Sequence, residues 1–199
     1  MFALIVGPPL EKRRDQWLKT VAHAINELQF SKGVSVEDLQ NSERFISLVL
    51  NATQVALRNH HKTKLEYLRN AIVSGHGLSG NVSDDEAHAF VRLIDDLSPN
   101  QLRFAANVKA YGALQGHVGS IIFPSDSDVT VNGPDVDWLA VPLEQELISR
   151  GLYSRPEGEP TAPYRLTEFG YRFMIFIRGR ESVEDREWME QRRRLEAKK

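Results

Sequence analysis

The chain has 199 residues, of which 41% are hydrophobic and 26% are charged, a composition typical of a folded globular protein rather than a disordered one. It contains no cysteine, which excludes disulfide bridges and thiolate metal sites and agrees with a reducing, cytoplasmic location. The formal net charge of -2 provides no general attraction to nucleic acid, so such binding requires a local basic patch.

The first residues, Met1 to Val6, are all apolar. They are too few to cross a membrane, which takes about 20 residues, and they lack the basic start and cleavage site of a signal peptide. An apolar end that stays exposed lowers solubility. We therefore expect this segment to pack under the protein's core or in the interface of a homodimer, and a membrane is not favoured as a partner.

Residues 1–97 are predicted to form a bundle of three or four helices. The first helix begins at Pro9, since proline suits the first helical position, and ends at Gly33. After it, Ser35 and Asp38 resemble a capping box in which Asp replaces Glu, which indicates a new helical start.

Between Ser42 and Ser74 no Pro or Gly interrupts an apolar stripe, which predicts one long helix or two nearly continuous ones. The next helix follows a capping box that begins at Ser83. The glycine-rich residues 75–80 match the letters of a dinucleotide-binding loop, and Asp95 has the spacing of its ribose-binding acid. That loop requires a preceding strand, however, so we interpret 75–80 as a helix end and linker.

The C-terminal third has a distinctive order of elements. A helix over 135–150, with Pro142 as a kink or a start inside it, is expected to end at Gly151 in a left-handed conformation. Two short apolar strands around a turn follow. Thr167 then caps a final helix, and Phe173 on this helix is expected to lie in the core.

This order of elements resembles the winged-helix superfamily. In that superfamily a Leu-Ser-Pro sequence opens the first helix and Gly-Leu closes the helix that enters DNA, and the resemblance extends from about Asp96 to Arg178. It implies a middle helix within residues 113–134, where this chain has Gly and Pro and no helical stripe. We therefore expect a degenerate winged helix or one that carries an insertion.

The predicted fold is thus mostly α. An N-terminal helical bundle over residues 1–97 is followed by a degenerate winged-helix-like domain with a two-stranded wing over 98–180. Residues 181–199 are predicted to form a charged tail helix.

The winged-helix resemblance implies that the helix ending at Arg150 reads DNA. That segment carries Asp135, Asp137, Glu144 and Glu146 against Arg150 as its single cation, and acidic side chains repel the phosphate backbone. A protein partner is therefore favoured over nucleic acid for this domain.

No pattern in the sequence predicts catalysis, a cofactor or a metal site. No two of the six histidines are four residues apart, the spacing of a helical zinc motif, and no cysteine is present to replace them. We therefore expect the protein not to be an enzyme.

Two basic clusters occur in the helical half, one at residues 12–14 and the other at residues 58–69. Charge runs are usually solvated faces, and the alternative is a surface for phosphate or for an acidic partner. Further candidates for binding a partner are the two arginines of the predicted wing and the arginine that ends the preceding helix. The candidate partner-binding residues are Arg58, Lys62, Arg69, Arg150, Arg155 and Arg165.

The leading hypothesis is a non-catalytic regulatory or assembly module that binds a protein partner or itself as a homodimer. One alternative is a dimeric winged-helix DNA-binding transcription regulator, in which the bundle dimerises and the winged helix reads a palindrome. Another is a membrane-associated helical effector that uses Met1 to Val6.

Overall fold

The computed structural model describes residues 2–77, 82–107, 145–154 and 165–180, together with single positions between 183 and 194. The protein is mostly helical. It forms two compact units, one made of Met1–Pro99 with Phe176–Arg180 and the other of Asn100–Ile175 with Glu181–Lys199. Among the described residues, no helix is both long enough and apolar enough to span a bilayer.

Helix α1 (Phe2–Lys32) is the longest described helix. The predicted start at Pro9 is wrong, since the helix begins seven residues earlier. Pro8 and Pro9 thus lie in the second turn of the helix, where a proline leaves the carbonyl four residues earlier without its donor and disfavours a straight helix. A helix of 31 residues is about 46 Å long.

The buried face of α1 is a narrow stripe of side chains at heptad-like spacing. It consists of Trp17, Val21, Ala24 and Leu28, of which Trp17 is 2% exposed. Leu18, which also has helical spacing in the sequence, is instead 50% exposed. The helix thus contributes one seam to the core and leaves its other faces to solvent.

Helices α2 (Val36–Gln40) and α3 (Glu43–Arg58) begin at capped serines. The Ser35 side chain accepts from the Asp38 amide while the Asp38 carboxylate accepts from Ser35, which confirms the predicted capping box. Ser42 accepts from the amide three residues later and starts α3. These caps satisfy amides that no helical carbonyl can reach.

Helix α4 (Lys62–Gly77) follows α3 after three non-helical residues, Asn59 to His61, so the predicted pair of nearly continuous helices is confirmed. The predicted linker at 75–80 is wrong in part, because α4 continues through Gly77. A Cβ on Gly75 would lie 2.2 Å from Cδ2 of Leu48, so this glycine permits close packing of α4 against α3. Residues 78–81 lie outside the described set.

Helix α5 (Asp84–Asp96) starts at Ser83, whose hydroxyl accepts from the Glu86 amide as predicted. Arg44 of α3 lies beside this start, donates to the Val82 carbonyl and pairs with Asp84 at 3.0 Å. The aromatic rings of Phe90 and Phe176 lie 5.1 Å apart in the core of the first unit.

The second unit contains most of α6 (Pro99–Asn107), a helical turn at 145–149, and two strands. Strands β1 (Tyr153–Ser154) and β2 (Arg165–Leu166) pair antiparallel, with Tyr153 opposite Leu166. The final helix, α7 (Glu168–Arg178), follows at once.

Hydrogen bonds at both ends of this strand pair match the sequence-based expectations. Gly151 has a φ of +74°, its amide donates to Ile148 and the Leu152 amide donates to Leu147, which is a left-handed helix ending as predicted. The Thr167 hydroxyl accepts from the Gly170 amide at 2.8 Å and caps α7. Phe173 is fully buried, as expected.

The part of the chain that would decide the winged-helix assignment lies outside the described residues. This applies to 108–144, where the middle helix and the start of the helix over 135–150 are predicted, and to the turn at 155–164. The described residues of the tail are helical, but most residues of the tail lie outside the described part of the chain. The degenerate winged helix therefore stays a prediction.

We expect Gly170→Ala to destabilise the second unit by about 2 kcal/mol or more. A Cβ at this position would lie 2.1 Å from the Leu152 carbonyl oxygen, and backbone cannot rotate away as a side chain can. Gly151→Ala is the matched control, since a Cβ there meets nothing within 4 Å and costs only about 1 kcal/mol of left-handed strain. Urea denaturation of the full chain followed by circular dichroism measures both. Equal losses, or no loss in Gly170→Ala, would show that the close approach is absent.

Candidate functional site

The seam between α1 and α3 fixes how these two helices are aligned. The Trp17 indole donates to the Thr53 hydroxyl at 2.9 Å, and Arg13 donates to the Leu57 carbonyl at 3.0 Å. Arg13 precedes Trp17 by four residues, whereas Leu57 follows Thr53 by four residues, so the two helices run antiparallel. Since α3 ends at Arg58, residues 2–12 of α1 extend beyond it by about 16 Å.

This alignment brings the two basic clusters of the sequence to the same end of the bundle. Arg13 lies at the last turn of α3, and the connection from α3 to α4 begins there. We name the resulting group the basic end. It consists of Lys12, Arg13, Arg14, Arg58, His60, His61 and Lys62. Side chains 45 residues apart in the sequence thus form one surface.

Most side chains of the basic end are open to solvent. Lys12, His60, His61 and Lys62 are exposed, and the His60 and His61 rings stack with centroids 4.2 Å apart. Arg14 lies 3.8 Å from Asp15 in an ion pair whose side chains are both more than half exposed, so solvent screens most of this attraction. Glu11 and Asp15, which flank this group on α1, are also exposed, so an approaching anion meets charges of both signs there.

Asp95, near the C-terminal end of α5, is the hub that holds the α3–α4 connection in place. One carboxylate oxygen pairs with Arg58 at 2.7 Å and the other accepts from the Asn59 amide at 2.9 Å. Its backbone carbonyl accepts from the Lys64 ammonium at 2.5 Å. The end of α3, the connection and the start of α4 are thus each hydrogen-bonded to Asp95, which holds the connection in one conformation.

Lys64 is buried, although it is a lysine. Burial lowers the pKa of its ammonium group, and the nearby carboxylates of Asp95 and Asp96 oppose this effect in part. A lysine pKa that is lower in the folded state reduces stability at neutral pH, and this cost disappears as the pH rises towards the ordinary value of 10.5. Lys64 therefore positions the end of α5 and is not available to a ligand.

The predicted site residues do not gather in one place. Arg58 and Lys62 lie in the basic end, whereas Arg69 is half-buried on α4 and pairs with Glu27 of α1. Arg150 pairs with Glu146 one helical turn earlier at 2.8 Å. Arg165 lies in β2, but its side chain, like the whole of Arg155, is outside the described set.

Sequence reasoning missed Asp95, Asn59 and Lys64 as a group. In the sequence, Asp95 is distinguished only by its spacing from the glycine-rich residues 75–80, which lack the preceding strand that a dinucleotide-binding loop requires. A signal for the group did exist, because a polar interruption at residues 59–64 separates two apolar stripes and has to satisfy its polar groups somewhere. The partner in α5 could not be identified from the sequence because it is 31 residues or more away.

A second exposed feature lies on α3, at the end far from the basic end. Ile46, Leu50, Thr53 and Leu57 follow helical spacing on one face, which we name the α3 stripe. The side chain of Thr53 and the backbone of Leu57 contact α1. Ile46 and Leu50 are 43% and 57% exposed, so the first half of the stripe is an uncovered apolar surface.

Within the described residues, no group of three His, Asp or Glu side chains is arranged to hold a metal ion. Neither a family model, nor a curated protein, nor a solved structure matches this chain. The surfaces described above are therefore the basis for any proposal on function.

We expect Asp95→Ala to lower the free energy of unfolding by about 2 kcal/mol. The change removes the carboxylate acceptor of the Arg58 guanidinium and one of the two acceptors of the Asn59 side-chain amide, which also donates to the Val55 carbonyl. Hydrogen bonds to charged groups contribute about 1.5 to 3 kcal/mol each. Glu66→Ala is the matched control, because it removes the same charge from an exposed position of α4 and should cost less than about 0.5 kcal/mol. Guanidinium denaturation compares the two. If Asp95→Ala unfolds like Glu66→Ala, the connection does not depend on this hub.

Proposed function

We propose that this chain is a non-catalytic assembly module that binds a protein partner, in the first place a second copy of itself. The observation that carries the proposal is the uncovered half of the α3 stripe. Ile46 and Leu50 are adjacent on one helical face and each exposes about half of its side chain. An exposed pair of large apolar residues one helical turn apart is the ridge that a second helix packs against.

A second copy suits this surface because the same ridge is present on both molecules. Two α3 helices related by a twofold axis would bury four such side chains, since a twofold interface uses the same patch twice. Half-burial of each contributes about 1 kcal/mol, and association costs at least about 4 kcal/mol. The four side chains together only offset the lower bound of this cost, so a measurable dimer requires further contacts around the stripe.

Leu50→Glu should keep the chain monomeric at concentrations at which the parent associates. The side chain is 57% exposed, so the change should not disturb the fold, while two glutamates facing each other across the twofold axis repel. Light scattering across a wide range of protein concentration measures the effect. Leu18→Glu is the matched control, because it puts the same charge on a 50% exposed leucine of α1.

Two results would contradict self-assembly through α3. One is a parent chain that stays monomeric at the highest concentration reached. The other is equal behaviour of Leu50→Glu and Leu18→Glu, which would assign the association to general surface hydrophobicity rather than to the stripe.

A DNA-binding regulator is the second candidate. It is favoured by the order of the C-terminal elements, in which a helix end at Gly151, the β1–β2 pair and a helix capped by Thr167 follow one another. Against it, the Arg150 guanidinium is engaged by Glu146, and an arginine held by a carboxylate is less available to a phosphate. Arg155 and the side chain of Arg165 lie outside the described residues, so they favour neither candidate.

We expect the chain to bind generic duplex DNA weakly at physiological salt. Few phosphate contacts mean that the affinity should change little with salt, whereas each contact adds about one unit to the slope of log affinity against log salt. Fluorescence anisotropy titrations at several salt concentrations give this slope. Submicromolar binding with a steep slope would favour the DNA-binding regulator over the assembly module.

A further inference from the structure

The exposed face of α3 carries no charge between the two ends of the helix. Residues 45–57 are all uncharged, although Ile46, Leu50 and Gln54 among them are exposed. Charged side chains are depleted from the centre of protein–protein interfaces, because burying an unpaired charge is costly. The middle of this face therefore has the composition of an interface core.

The other long helices of the first unit do not share this composition. A surface helix normally presents charged side chains to the solvent opposite its buried face. Helices α1, α4 and α5 follow this rule, since each has an exposed charge in its middle, at Lys19, Glu66 and Arg92 respectively. The uncharged face is thus a feature of α3 and not of the bundle in general.

The exposed charges of α3 lie at its two ends and have opposite signs. Glu43 is in the first turn, and Arg58 is the last residue. Successive residues of a helix turn by about 100°, so both side chains lie within about 80° of Leu50 around the helix axis. Arg58 pairs with Asp95 through one guanidinium nitrogen and is still 67% exposed. Its other N–H groups are therefore able to meet a second carboxylate.

We propose that a second copy packs its α3 antiparallel to this one, so that Glu43 of each copy meets Arg58 of the other. A twofold axis midway between Leu50 and Asn51 produces this pairing, because Glu43 and Arg58 lie about 11 Å to either side of that point. The two Leu50 side chains then lie beside each other at the axis. A parallel pair would instead bring like charges together at both ends, which disfavours it.

The antiparallel pair presupposes the proposed self-assembly and supplies contacts that the apolar residues alone do not. Ile46 and Leu50 only offset the lower bound of the cost of association, and the twofold axis adds an ion pair on each side of them. Gln54 is exposed and lies about 100° around α3 from Thr53, whose side chain contacts α1. The second half of α3 is therefore open to a partner helix on the flank away from α1.

Replacement of Glu43 tests the pairing. Exposed ion pairs contribute up to about fivefold each, and each dimer contains two, so Glu43→Gln should weaken self-association about threefold and Glu43→Arg, which adds repulsion, about tenfold. Higher salt should weaken the parent dimer and strengthen that of Glu43→Arg, since salt screens attraction and repulsion alike. Analytical ultracentrifugation of the full chain at several salt concentrations gives the dissociation constants.

Asp85→Arg is the matched control for charge. Asp85 is an exposed acid in the first turn of α5, so the change alters the net charge as Glu43→Arg does and loses the same favourable contact with a helix N-terminus. Because it lies outside α3, screening should keep its effect on the dissociation constant below about twofold. Circular dichroism verifies that the variants fold alike, since both positions are exposed.

Oxidative cross-linking of single cysteines tests the orientation directly, since the chain has no cysteine of its own. In the antiparallel pair, Ser47 lies level with Gln54 of the second copy. The two Gln54 residues are about 10 Å apart along the axis, as are the two Ser47 residues, which is too far for a disulfide. A mixture of Ser47→Cys and Gln54→Cys chains should therefore cross-link, and neither variant should do so alone.

Three results would overturn the antiparallel pair while leaving self-assembly intact. These are association of Glu43→Arg as tight as that of Asp85→Arg, cross-linking of Gln54→Cys with itself, and a mixture that does not cross-link while the parent is dimeric. A parent chain that stays monomeric would overturn the proposed function and the antiparallel pair together. The behaviour of the parent therefore distinguishes the two failures.

Discussion

The hydrogen bond between Trp17 and Thr53 is the constraint on which the first unit depends. The indole is 2% exposed, and a buried N–H that lacks an acceptor costs about 1 to 3 kcal/mol. Thr53 is able to accept because its own hydroxyl proton is donated to the Val49 carbonyl at 2.7 Å. Sliding α1 by one turn would break this chain of hydrogen bonds and place Trp17 beside a different residue. The axial position of α1 is therefore set to within a turn.

The position of α1 also fixes which part of α3 it contacts. Arg13 and Trp17 contact Leu57 and Thr53 in the second half of the α3 stripe, whereas Ile46 and Leu50 in its first half are exposed. The same alignment places residues 2–12 of α1 beyond the last turn of α3, beside which Arg13 lies. The grouping of residues 12–14 with the end of α3 is thus a consequence of this helix register.

The sequence predicted the local features of this structure and missed the long-range ones. Capping at Ser35 and Thr167 and the left-handed Gly151 depend on atoms within a few residues, so the local pattern was sufficient. The hub at Asp95 depends on a partner helix, and no local pattern specifies which helix that is. The start of α1 was missed because proline is favoured at the first helical position and disfavoured farther inside a helix, so the local pattern predicted a start at Pro9 rather than at Phe2.

The central claim is that α1 and α3 are antiparallel in the register set by Trp17, and it is open to a direct measurement. The chain has no cysteine, so pairs of spin labels can be introduced at Lys12 with Lys62 and at Lys12 with Glu43, all of which are exposed. Pulsed electron resonance should then give a distance that is shorter for the first pair by about 10 Å, since Glu43 lies about 22 Å along α3 from its last residue and the lateral separation of the helices enters both distances. Equal distances, or a shorter one for Lys12 with Glu43, would contradict the register and with it the grouping of residues 12–14 with the end of α3.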